Sequence, residues 1–82
     1  MTLQVIAAVY GALADGNSEK SEASDVTSTL QSLLAKETTV PINNTSFGDP
    51  APGWSKHFGA LVNVDGAVKA FSCAENQSID FA

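Results

Sequence analysis

The sequence predicts a small, mainly antiparallel β domain, β-sandwich-like, with one covering helix. Three observations carry that expectation. Residues 3–10 form an apolar run rich in β-formers, a single helical stripe lies near residues 26–36, and Asp65-Gly66 sits between two alternating segments. The chain of 82 residues is read as one domain spanning 1–82, near the lower size for folding unaided.

Residues 3–10 read as a strand with Val5, Ala7 and Val9 on one face and Ile6, Ala8 and Tyr10 on the other. Both faces are apolar, which predicts a central strand or one covered on both sides. Gly11 breaks the run, and after Ala12-Leu13-Ala14 the polar stretch from Asp15 to Ser24 reads as an exposed loop. Asp25 is the expected N-cap of a helix over 26–36, where Val26, Leu30, Leu33 and Leu34 recur with helical spacing. Thr27, Ser28 and Thr29 are modest helix formers, so packing must hold that element. Lys36 is placed in its last turn, complementing the helix dipole.

Thr38-Thr39-Val40 resumes β character and is expected to stop at Pro41. The segment Asn43 to Trp54 holds two prolines and two glycines, which makes it a shaped loop rather than a linker. Lys56 to Val64 then alternates, and Asp65-Gly66 supplies a two-residue hairpin turn. That turn pairs Val64 with Ala67, Val62 with Lys69, Ala60 with Phe71 and Phe58 with Cys73 on the more apolar face. His57, Gly59, Leu61 and Asn63 fall on the opposite face, and Gln77 to Phe81 supplies a short final strand.

Composition narrows the function. Nine acids face four lysines, there is no arginine, and the net charge is −5. This balance argues against nucleic-acid binding, which needs a cationic footprint, and against docking on anionic lipid. The opening apolar run is too short to span a bilayer, so no membrane insertion is expected. The chain is read as cytoplasmic, with secretion after removal of a signal peptide as the alternative. Three triplets beginning at Asn43, Asn44 and Asn76 match the glycosylation pattern, which has meaning only in the secreted case. Cys73 is the single cysteine, so no internal disulfide staples the domain and a homodimer is expected.

Catalytic constellations are poorly represented. Cys73 and His57 are the sole thiol and imidazole, yet the hairpin register sends them to opposite faces. Asp15, Asn17 and Glu19 alternate like a calcium loop, but Lys20 and Val26 stand where that motif requires Gly and Glu. No cofactor or metal is expected, and the chain is read as non-enzymatic. The remaining candidate is the group Asn43, Asn44, Asp49 and Trp54. An indole face packs on the C–H surface of a pyranose while Asp and Asn take its hydroxyls. The competing reading is structural: Trp54 plugs the core edge, and the Asx residues cap turns.

Ala8-Val9-Tyr10-Gly11, Asp25-Val26-Thr27, Asn44, Phe47-Gly48-Asp49-Pro50-Ala51-Pro52-Gly53, Lys56 and Ala74-Glu75-Asn76 together form a pattern. It resembles a small β domain found in fungal and bacterial proteins, and distantly the C-terminal domain of some J-domain chaperone-family proteins. The resemblance covers most of the chain and departs from it between Leu13 and Ser24. It implies a β-sandwich-like module without catalytic residues and supplies no ligand. By analogy with small fungal lectins, the expected function is carbohydrate binding, with Asn43, Asn44, Asp49 and Trp54 as contacts. A protein-interaction or homo-oligomeric assembly domain is the alternative.

Overall fold

The computed structural model describes residues 2–82. Strand β1 (Leu3–Leu13) leads through a 3-10 turn at Ala14–Gly16 into β2 (Ser21–Asp25), then α1 (Thr27–Leu34) and β3 (Thr39–Ile42). A short helix, α2 (Asn44–Phe47), precedes the hairpin of β4 (His57–Val64) and β5 (Ala67–Ala74), and β6 (Gln77–Asp80) ends the chain. β1, β2, β4 and β5 form an antiparallel sheet ordered β2-β1-β4-β5, and β3 pairs antiparallel with β6 in a separate ribbon. The mainly β architecture with one substantial helix is as expected.

The β4–β5 hairpin has the register read from its turn, from Val64 opposite Ala67 to His57 opposite Ala74. Asp65 and Gly66 take the left-handed angles of a two-residue turn, φ 52° and 93°. The adjacent Thr2 is tied to that turn by two hydrogen bonds, since its N–H donates to Asp65 Oδ1 and its carbonyl accepts from Asp65 N–H.

β1 departs from the expected alternation. A bulge lies between Val5 and Ala7, so Val5, Ala8 and Tyr10 turn inward while Ile6, Ala7 and Val9 are exposed. One extra residue shifts the pleat by one position, so that, relative to Val5, every residue from Ala7 to Tyr10 lies on the face opposite that predicted. The strand is central in its sheet, but its outer face is uncovered. β1 also runs past Gly11 to Leu13, and the stretch from Asp15 to Ser24 is not simply a loop: β2 pairs back on β1, Leu13 opposite Ser21 and Val9 opposite Asp25. Ser, Glu and Asp in β2 hid it, because an exposed edge strand needs no apolar face.

Helix α1 is shorter than predicted and leaves Lys36 beyond its end. Val26, Leu30 and Leu34 are buried, and Leu33 packs at the margin. Asp25 serves the start of the helix from one residue before the backbone N-cap, its Oδ1 accepting from Thr27 N–H at 3.0 Å. β3 runs through Pro41 to Ile42, and among the described residues β6 is its only strand neighbour, so the missing proline N–H falls at the unpaired edge. The core lies between the inner face of the four-stranded sheet and a layer made of α1, α2 and the β3–β6 ribbon.

Candidate functional site

The loop from Asn43 to Trp54 is shaped, as its prolines and glycines require, but what shapes it is an aromatic stack and a buried lysine. Asn43 Oδ1 accepts from Ser46 N–H and starts α2, which carries Phe47 down into the core. The Phe47 ring lies between those of Tyr10 and Phe58, at centroid distances of 5.5 Å to each. Phe58 meets Phe81, and Phe81 meets Phe71. All four phenylalanines and the single tyrosine therefore join one ring chain, and only the tryptophan stays outside it. Trp54 is 43% exposed.

Lys56 organises what remains of the loop. Its side chain is 2% exposed, and Nζ lies 2.8 Å from Asp49 Oδ1 and 3.5 Å from Glu75 Oε1. The ammonium also donates to the carbonyls of Ala51 and Trp54, so all its protons are engaged. Glu75 Oε1 additionally accepts from Lys56 N–H, while Glu75 N–H donates to the Lys56 carbonyl. The hydrogen bond that the Lys56 ammonium donates to Asp49 is the main cause holding its pKa above the ordinary lysine range, against the pull of burial. Burial, reinforced by Glu75, raises the Tyr10 phenol. That phenol donates to Asn44 Oδ1 at 2.7 Å.

Above this clamp lies a cleft of about 390 Å³, lined by residues that include Asn44, Asp49, Trp54, Lys56, His57 and Glu75. A second, apolar hollow of about 330 Å³ adjoins it, lined by Ala12, Leu13, Gly16, Trp54, Ser55 and His57. The indole borders both. Gly16 touches it: a Cβ built there would stand 3.0 Å from the ring, and its φ of 72° already favours glycine.

Of the four residues predicted from sequence, Asn44, Asp49 and Trp54 line one cleft, whereas Asn43 is not among its lining residues and caps α2. The Asx residues carry structural duties as well: Asn44 Oδ1 takes the Tyr10 proton, and Asp49 Oδ1 is held by Lys56 and Ala51 N–H. Asn44 keeps its amide group, and Asp49 its second carboxylate oxygen. Glu75, Lys56 and His57 were not predicted as part of the site. Lys56 and Glu75 stand in the sequence pattern quoted above, but nothing local signals that they meet across 19 residues.

The hairpin register also separates His57 from Cys73, which is opposite Phe58 on the inward face. Burial raises the Cys73 thiol, which lowers its thiolate fraction. Among the described residues no cluster of three His, Cys, Asp or Glu could hold a metal, and no helix is long and apolar enough to cross a membrane. Searches against family models, curated proteins and solved structures return no match to this chain.

Proposed function

We propose that the chain is a non-enzymatic, lectin-like module that binds a carbohydrate in the cleft beside Trp54. The observation that carries this reading is the indole itself. Every other aromatic ring joins the core chain, while Trp54 remains 43% exposed at the rim of a polar cleft. An exposed indole offers a sugar an apolar face, and the Asn44 amide and free carboxylate oxygens supply donor and acceptors beside it.

Charge selects among sugars. One ammonium, Lys56, is shared by two carboxylates, Asp49 and Glu75, which leaves the cleft net negative. Neutral glycans fit this field better than sialylated or sulfated ones. The test is a glycan array probing both kinds, followed by titration of any hit. Binding to neutral glycans is expected, and Trp54→Ala is expected to weaken it by roughly tenfold or more, about 1.4 kcal/mol, with an unchanged circular dichroism spectrum. An array without hits at high protein concentration would remove the reading. A Trp54→Ala protein that unfolds would assign the indole to structure instead.

A further inference from the structure

A second surface, which meets the cleft region at Leu13 and His57, points to a partner. We propose that the outer face of the four-stranded sheet is a self-association surface, where a second copy of this chain packs face to face about a two-fold axis.

The face is almost free of charge and mostly apolar, with Gln4, Ser21, His57, Asn63 and Ser72 as its uncharged polar members. Ile6, Val9, Leu13, Leu61 and Val68 are each 44–59% exposed, an accumulation unlike scattered surface hydrophobics. Following the strand pairing, the sole carboxylate directed to this face is Asp25 at its margin, and no lysine reaches it. A chain with nine acids and four lysines has therefore kept its charges elsewhere. Charge depletion with retained apolar bulk is the compositional mark of an interface core.

Its relief matches itself. Across β1, β4 and β5 the exposed side chains of Ile6, Leu61 and Val68 form a ridge. Toward β2 it dips into a shallow groove of about 460 Å³, lined by Val9, Gly11, Leu13, Ala23 and Gly59 among others. Glycine at positions 11 and 59 keeps that floor low. A surface bearing both an apolar ridge and an apolar groove fits an identical copy rotated by 180°, ridge into groove, which is the geometry of an isologous dimer.

The size suffices. With strands about 4.8 Å apart and about 3.4 Å per residue along them, the face covers roughly 500 Å². Two copies would remove roughly 1,000 Å² from water, the lower bound of a specific interface. Edge-to-edge pairing is the poorer route, because β2 carries Glu22 and Asp25 and β5 carries Lys69, which blunt both edges of the sheet.

The test is sedimentation equilibrium of the full chain from micromolar to about 0.5 mM, together with amide NMR over the same dilution series. The expected mass at high concentration is twice the 8.5 kDa of one chain. The Gly11, Gly59 and Leu61 amides should shift on dilution while the amides of Leu30 and Ile42, in the layer on the far side of the sheet, stay fixed. Leu61→Lys is expected to return the mass to a single chain, and Glu22→Lys to leave the dimer intact. A wild-type mass of one chain at 0.5 mM overturns the proposal and leaves a different protein as the occupant of this face. So does a dimer that survives Leu61→Lys, or dilution shifts confined to other surfaces. Should Leu61→Lys fail to fold, the wild-type dilution shifts decide alone.

Discussion

Lys56 is the residue on which the local order of the loop turns. A buried ammonium is tolerable only when each proton has a partner, and here two carboxylates and two carbonyls supply them. Removing the charge leaves Asp49 and Glu75 facing one another and strands the Trp54 carbonyl, whereas the Ala51 carbonyl keeps the Trp54 N–H. Lys56→Met is therefore expected to lower the melting temperature far more than Lys69→Met, since Lys69 is exposed. Equal effects, measured by thermal circular dichroism, would show that the clamp contributes little. The same clamp fixes the backbone on either side of Trp54, so the indole is presented by a rigid support rather than by a free loop.

At the level of elements, the informative junction is between β1 and α1. Beyond the end of β2, the edge of β1 is finished by side chains of the helix. Val5 N–H donates to Gln31 Oε1, Gln31 Nε2 donates to the Leu3 carbonyl, and Ala8 N–H donates to Thr27 Oγ1. Helix α1 thus completes a strand edge that would otherwise be open, while its leucines fill the core beneath. On the other side of the junction, β1 and β2 approach so closely that a Cβ at Gly11 would lie 2.4 Å from Ala23 Cα. Gly11→Ala must push the strands apart and is expected to cost about 1–3 kcal/mol, read from urea unfolding. A neutral substitution would mean that the β1–β2 ribbon yields without resistance.

Across the whole molecule, stability should fall at alkaline pH. Lys56 and Tyr10 both have raised pKa values in the folded chain. The folded state therefore holds these protons more tightly than the unfolded state. The Lys56 contribution is complete below the ordinary lysine range and disappears as pH rises through the raised value. Ionising Tyr10 opposes folding in the same window. With a net charge already at −5, losing the buried ammonium adds self-repulsion. The urea midpoint is expected to begin falling above about pH 8.5, where the Cys73 thiol, raised by burial in the folded chain, ionises in the unfolded one, and to drop further above about pH 10. A midpoint flat through that range would contradict the raised values.

What the residues determined by themselves was local. Asp65-Gly66 set the hairpin turn, and alternation set which side of β4 faces inward, because turn geometry and period-two patterning act over a few neighbours. The stripe of Val26, Leu30, Leu33 and Leu34 set the buried side of α1 for the same reason. Trp54, Asn44 and Asp49 were legible as neighbours because one stiff loop carries them. Tertiary structure alone decided the rest. The β1 bulge depends on pairing with β4, β2 is a strand only because β1 lies beside it, and the clamp joins Lys56 to residues on two loops. Such contacts arise from chain segments far apart in sequence, so no window of neighbouring residues encodes them.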